Sequence, residues 1–267
     1  MRHWFTYPNI DPIALHLGPL SIHWYGISYL FGFLCVYLWM SRPAGRARLG
    51  LTHEQIQDFL VYALIGVLIG GRAFFVLADI LSHGNASYYF LSPLNLIAVW
   101  NGGMGFFGGL LGVIVAIVLF VRRHPQVTFG TLADEVVVML PLGLATTRVV
   151  NFINDELPGN VCQPDRPWCI AFPNYLDYRY PSQIFEGLMD LAVLPLMLIL
   201  ARYRLGAGTR AWIWFACYGL TRSLSEIWRA SDLHFGIFTG GQALALPMIA
   251  LGIVMAVRSA RSARTVA

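Results

Sequence analysis

The sequence has no lysine and little charge of any kind. Only 12% of its 267 residues are charged, against roughly 25% in an average soluble domain. Half the usual charge does not cover a soluble surface of this size. The mean hydropathy of +0.61 agrees. These shortages exclude a disordered chain, a nucleic-acid module and an ordinary cytosolic enzyme. No internal repeat, linker or low-complexity stretch divides the chain, so a single membrane domain over 1–267 is the simplest organisation. What is present is 57% hydrophobic. The expected fold class is an all-α integral membrane protein.

A helix needs about 20 mostly apolar residues to cross ~30 Å of hydrocarbon. Seven stretches qualify: Leu20–Met40, Ile56–Ala78, Met104–Val121, Leu132–Val150, Ile184–Ala201, Ala211–Trp228 and Gly241–Val257. Pro141 interrupts the fourth; proline inside a span is tolerated where neighbours satisfy the freed carbonyl. Ile80–Trp100 is apolar too, but Ser82, Gly84, Asn85 and Pro93 make it an interfacial segment rather than a span. Tyr7–Leu20 reads as an amphipathic segment on the outer surface. The first 19 residues lack the basic–apolar–small layout of a signal peptide and contain Pro8, Pro12 and Pro19, so no cleavable signal is expected.

All 18 basic residues are arginine, and their placement sets the orientation. One side holds Arg42, Arg46, Arg48, Arg122, Arg123, Arg202, Arg204, Arg210, Arg258, Arg261 and Arg264. The other holds Arg2, Arg166, Arg179 and Arg229. The richer side is cytoplasmic by the positive-inside rule, which puts the N-terminus in the periplasm and the C-terminus in the cytoplasm. Arg72, Arg148 and Arg222 lie in spans or at their ends. Cys35 and Cys217 sit within spans, as packing residues. Cys162 and Cys169 bracket Gln-Pro-Asp-Arg-Pro-Trp in the outer loop. They are either a disulfide, which an oxidising periplasm favours, or two free thiols. No third and fourth ligand accompanies them, so no metal is expected.

Charges inside a bilayer cost about 2.5–3.5 kcal/mol each on insertion scales, so each one asks for a role. Three polar clusters fall at outer span ends. Trp100-Asn-Gly-Gly-Met-Gly-Phe-Phe-Gly-Gly109 carries Gly102, Gly103, Gly108 and Gly109. Those glycines either let a ligand approach the backbone or pack helices closely. The Lys-Ser/Thr ending of a phosphate loop is absent. Arg148, Asn151 and Asn154 recur every three residues and share a face on a continuing helix. That set suits a phosphate, which guanidinium binds bidentately; the alternative is a helix end with a snorkelling arginine. Arg222 and Glu226 stand at i and i+4, either as a simple pair or as an anion site with its counter-ion. Tyr25 lies near the outer end of the first span, where an interface anchor is the alternative. Together they form an outer-leaflet site suited to an anionic phospholipid headgroup.

The motifs His23-Trp-Tyr-Gly26, Gly70-Gly-Arg72, Trp100-Asn-Gly-Gly-Met104, Arg148-Val-Val-Asn-Phe-Ile-Asn-Asp-Glu156, Pro181-Ser-Gln183, Arg222…Glu226 and Gly241-Gln242 resemble those of the prolipoprotein diacylglyceryl transferase family, in the same order and over nearly the whole chain. The opening Tyr7-Pro-Asn-Ile-Asp-Pro12 fits as well. The resemblance implies seven spans in the bacterial inner membrane. It also implies transfer of a diacylglyceryl group from phosphatidylglycerol to the lipobox cysteine of a prolipoprotein signal peptide, without a cofactor. By the same match Arg148, Arg222, Glu226 and Tyr25 are catalytic. By the match Asn151, Asn154, Glu156 and Gly159 also belong to the site, as substrate contacts; Gly102, Gly103, Gly108 and Gly109 are added as substrate contacts from the glycine-rich cluster itself. Partners other than membrane lipids and these two substrates are not implied, and nucleic acid is not among them.

The chain departs from that family's pattern at three places. Phe106-Phe107-Gly108-Gly109 stands where the family usually has Phe-His-Gly-Gly, whose histidine is often taken as the general base. Tyr180 replaces a histidine before Pro181-Ser-Gln183, and Thr147 and Val150 stand where the family's Gly-Arg-x-Gly-Asn motif carries its two glycines. Phe107 accepts no proton. A base typically contributes 10²–10⁴-fold, so its loss does not by itself abolish turnover. Glu226, Glu156 and His23 are the substitutes in view, as is a thiol acidified by the arginines. A paralogue that binds phosphatidylglycerol without this chemistry or acts on another acceptor is the alternative. A lipid or solute transporter is the third reading, with broken helices at the midplane expected.

Overall fold

The computed structural model describes residues 6–18, 20–99, 102–231 and 233–264; Arg2, Pro19, Trp100 and Asn101 lie outside the described residues. The chain order is β1 (Ile13–Leu17), β2 (Leu20–His23), α1 (Trp24–Met40), α2 (Pro43–Leu49), α3 (His53–His83), α4 (Ala86–Phe90), α5 (Leu94–Ile97), α6 (Phe106–Arg123), α7 (Phe129–Val136), α8 (Leu140–Ile153), β3 (Ile170–Ala171), β4 (Tyr178–Arg179), α9 (Ser182–Leu200), α10 (Thr209–Ser225), β5 (His234–Phe235), β6 (Phe238–Thr239) and α11 (Gly240–Arg264). Helix dominates, and each of the seven apolar stretches carries one. Among the described residues α3, α9 and α11 are by themselves long and apolar enough to cross a membrane, and five spans result when α1–α2 and α7–α8 each count as one broken span. The fourth stretch is two helices rather than one kinked helix. Pro141 falls in the first turn of α8, where its missing N–H has no helical partner to lose. Tyr7–Leu20 contributes most of an antiparallel hairpin, β1 against β2, pinned by Trp24 Nε1 donating to the Asp11 carbonyl at 2.9 Å.

The chain divides into two compact units, one of residues 1–39 and 134–267, the other of residues 40–133. In the second, α3 and α6 approach through glycine. A Cβ on Gly66 would run into the Gly112 carbonyl, and one on Gly70 into the carbonyl of Gly108. This is the small-residue stripe that lets membrane helices pack by dispersion alone. Phe59 and Phe120 close the contact edge to face, 5.4 Å apart. The segment after α3 folds back as α4 and α5. It is tied down by the buried Arg72, which donates to the carbonyls of Asn95, Leu96 (3.1 Å), Gly102 (2.7 Å) and Gly103 (3.1 Å). Gly102 and Gly103 both have φ near +80°, which turns their carbonyls onto that guanidinium.

In the first unit α8, α9, α10 and α11 pack in sequence. Asp134, at the end of α7, caps α10 by accepting from the N–H of Gly208 (2.9 Å) and Ala211 (2.8 Å). Arg210 meets Glu135 at 3.1 Å, and Glu135 also accepts from Trp39 Nε1 at 3.0 Å. The loop between α8 and α9 holds the β3–β4 ribbon and a Cys162–Cys169 disulfide, which settles the choice between bridge and free thiols. Large apolar side chains stay uncovered along the helices of both units, among them Ile69, Leu111, Leu188 and Leu244, each more than half exposed. Water does not tolerate so many; hydrocarbon does.

Candidate active site

The site is built where α8 runs out. Arg148 and Asn151 stand one turn apart on α8, and Asn154 is its last cap residue. The chain then turns through Asp155 and Leu157, both at φ +55°, a conformation that side chains with a Cβ rarely adopt. Such a turn persists only when its surroundings hold it. Here Asp155 Oδ2 accepts from the Asn174 N–H (2.7 Å), Ser182 Oγ donates to the Leu157 carbonyl (3.0 Å), and Gln183 Nε2 donates to the Glu156 carbonyl (2.6 Å). Glu156 is thereby aimed back at α8. Its carboxylate accepts from the Tyr25 hydroxyl, from Asn151 Nδ2 at 3.0 Å and from Asn154 Nδ2 at 3.2 Å. Tyr7 closes the helix end from outside by donating to the carbonyls of Phe152 and Ile153. Burial, and then the Asp155 carboxylate, raise the Tyr7 pKa, so it stays a donor at neutral pH.

A chain of ion pairs continues from there. Arg148 donates to Asn151 Oδ1 (3.3 Å) and to Glu186 Oε1 (2.9 Å). The other oxygen of Glu186 takes Arg229 at 3.3 Å. Arg229 lies 3.9 Å from Glu226, which pairs with Arg222. The carboxylates are the buried partners: the side chains of Glu186 and Glu226 are 3% and 1% exposed, whereas those of Arg148, Arg222 and Arg229 are 17%, 21% and 22% exposed. Three part-exposed guanidiniums are thus each paired to a buried carboxylate. Burial, and then the like charge of Arg222, lower the Arg229 pKa from its usual value, which leaves it protonated at neutral pH.

Two glycines make room for this cluster. A side chain at Gly159 would strike the carbonyls of Trp228 and Tyr180, because residue 159 bridges Arg229 in a strand-like contact. A side chain at Gly241, in the first turn of α11, would strike Glu226 Oε1 and come within 2.8 Å of Arg222 Nη2. The structure therefore brings together Tyr25, Arg148, Asn151, Asn154, Glu156, Gly159, Arg222 and Glu226 in the first unit. Gly102, Gly103, Gly108 and Gly109 belong to the second, where Gly108 lies in the α3–α6 contact and Phe107 sets its ring 6.1 Å from that of Phe74.

Sequence reasoning passed over Glu186, and it counted Arg229 only as an orientation charge. Gln183 and Gly241 entered as motif matches without a role. The signal for Glu186 was present. An acid inside the apolar run Ile184–Ala201 carries the same cost that singled out Arg148 and Arg222. Asp190 shares that signal; it is buried one turn on, accepting from Thr221 Oγ1 at 3.1 Å. Asp134 and Glu135 do so in the fourth stretch.

Fold and site together define a helical membrane protein in which three arginines and two buried glutamates form one ion-pair chain beside the hydrogen-bonded group of Tyr25, Asn151, Asn154 and Glu156. The chain belongs to the prolipoprotein diacylglyceryl transferase family, whose model matches residues 12–258. It is 42% identical over 261 residues to the phosphatidylglycerol–prolipoprotein diacylglyceryl transferase of Geobacter sulfurreducens, covering 96% of this chain and 97% of that one. It is 40% identical over 263 residues to the protein of that name from Vibrio cholerae (96% and 94% covered). The one from Rhodospirillum centenum is 39% identical over 264 residues, with 95% and 93% covered.

Proposed function

We propose that this enzyme transfers the diacylglyceryl group of phosphatidylglycerol to the lipobox cysteine thiol of prolipoproteins, the first step of lipoprotein maturation. Its setting is the bacterial inner membrane, with one membrane domain of seven spans, the N-terminus periplasmic and the C-terminus cytoplasmic. In this reaction the cysteine sulfur attacks the glyceryl carbon next to the phosphate ester. A C–S bond forms, that C–O bond breaks, glycerol phosphate leaves with the electron pair, and the thiol proton is released. The phosphate needs stabilisation as it departs. The observation that carries the reading is the ion-pair chain of Arg148, Arg222 and Arg229, each part-exposed and each paired to a carboxylate that is almost fully buried.

In this scheme Arg148 holds the headgroup phosphate. Arg222 meets the leaving oxygen, or gates the site with Glu226. Tyr25, Asn151, Asn154 and Glu156 form the polar wall, with Gly159 permitting the approach of Arg229. Gly102, Gly103, Gly108 and Gly109 stay proposed as substrate contacts because a glycine-rich segment lets a ligand approach the backbone. The test is a purified assay with phosphatidylglycerol and a lipobox peptide. We expect thioether product, lost in Arg148→Ala. Absence of product while a relative with an intact Phe-His-Gly-Gly motif works alongside would overturn the reading.

A further inference from the structure

Glu186 sits in the first turns of α9, 2% exposed, and neither of its oxygens is idle. One binds Arg148 at 2.9 Å, the other Arg229 at 3.3 Å. The two arginines come from distant stretches of chain, Arg148 from α8 and Arg229 from beyond the end of α10. Like charges so placed repel, and each long side chain has several rotamers to lose. A shared carboxylate removes both obstacles at once. The packing is arranged for it: a Cβ at Gly187 would press on Arg148 Cβ at 3.1 Å, so the residue after Glu186 is one that lets the arginine stem lie against α9. Glu226 does the same on the other side, between Arg229 and Arg222. Arg229 is then the middle guanidinium of three, with a carboxylate on each flank.

We infer that Glu186 is a positioning residue that couples Arg148 and Arg229 into one binding element for the phosphate group, with Arg229 as a direct phosphate contact. The inference rests on the proposed reaction for its ligand, a glycerophosphoryl group. Glu186 touches no reacting atom; it sets the distance and orientation of the two guanidiniums that do. Two coupled arginines grip one phosphate as a unit, so losing either one loses most of the grip. Without Glu186 each would act alone.

The test is a set of double-mutant cycles on the full chain in detergent. Arg148→Gln and Arg229→Gln are combined in the wild-type background and in a Glu186→Gln background. Each protein is read twice, by the Kd of glycerol 1-phosphate and by kcat and KM with phosphatidylglycerol and a lipobox peptide. In the wild-type background each single change should weaken glycerol 1-phosphate by about 10- to 100-fold, and the double change hardly more than either. In the Glu186→Gln background the two losses should multiply. Glu186→Gln alone should lower kcat by about 10- to 100-fold per folded enzyme, counted by the stoichiometry of glycerol 1-phosphate bound at saturation, with the thermal midpoint close to wild type; a fall in kcat matched by a fall in that stoichiometry would mean unfolding and would overturn the inference. Glu186→Asp, which keeps the charge one methylene short, stands in if the glutamine variant does not fold, and should keep part of the coupling. Losses that multiply already in the wild-type background, or coupling that survives unchanged in Glu186→Gln, would overturn the inference. A wild type that binds glycerol 1-phosphate but makes no thioether would sink the proposed function instead, and the binding cycle would still decide the role of Glu186.

Discussion

Gly241→Ala adds one methyl group at the most crowded point of the site. The new carbon would lie against Glu226 Oε1 and 2.8 Å from Arg222 Nη2, both ends of one ion pair. Ordinary carbon contacts begin near 3.5 Å, so the pair has to open by about 1 Å. It has little room: the Glu226 side chain is 1% exposed and also faces Arg229. Overpacking of this kind costs about 1–3 kcal/mol of stability. The larger effect falls on the reaction, because a 1 Å misplacement of a reacting geometry can cost about 10²-fold, which is about 2.7 kcal/mol of barrier. We expect kcat with phosphatidylglycerol and a lipobox peptide to fall about 10²-fold while the thermal midpoint drops by only a few degrees. Gly143→Ala is the matched control. Its Cβ would meet only the Gly32 Cα, at 3.6 Å, so activity should stay within twofold. Wild-type kcat in Gly241→Ala would refute the claim that the Arg222–Glu226 geometry serves the reaction.

Further outcomes follow from single contacts. Tyr25→Phe removes the hydroxyl that Glu156 accepts from. With about 1–3 kcal/mol at stake for a buried acceptor left short of a donor, kcat should drop roughly 10- to 100-fold; an unchanged rate would make Tyr25 an interface anchor. Replacing both Cys162 and Cys169 by Ser opens a loop of sequence separation 7. Chain-entropy arithmetic puts the loss near 2.5 kcal/mol, visible as a lower thermal midpoint under non-reducing conditions and as no change once reductant is present. Phe107→His restores a proton acceptor where the family usually has one. If proton removal from the thiol limits turnover, kcat should rise about tenfold or more, and an unchanged kcat would place the base elsewhere.

Much of the site was legible because charges in an apolar run are conspicuous. Arg148, Asn151 and Asn154 announce a polar helix face by spacing alone, and Arg222 with Glu226 announce a pair. The Cys162–Cys169 bridge was one of two open choices. Less legible was the fourth stretch. Pro141 suggested a kinked span, whereas the structure ends α7 at Val136 and restarts at Leu140, with the proline seated in the new first turn. Glu186 was overlooked although the same burial-cost argument applies to it, because its partners lie 38 and 43 residues away.

Composition by itself determined that this chain lives in lipid, since so few charges leave no other solvent for its surface. The arginine count on either side set an expected orientation, and the order of motifs pointed to the family. The partners of those arginines were decided only by the tertiary structure. A sequence shows an ionisable residue and the price of burying it, but not which residue from another helix offsets that price. Arg148 and Arg229 meet on Glu186, and Glu156 turns back onto Tyr25 and two asparagines, through contacts between residues that no local spacing relates.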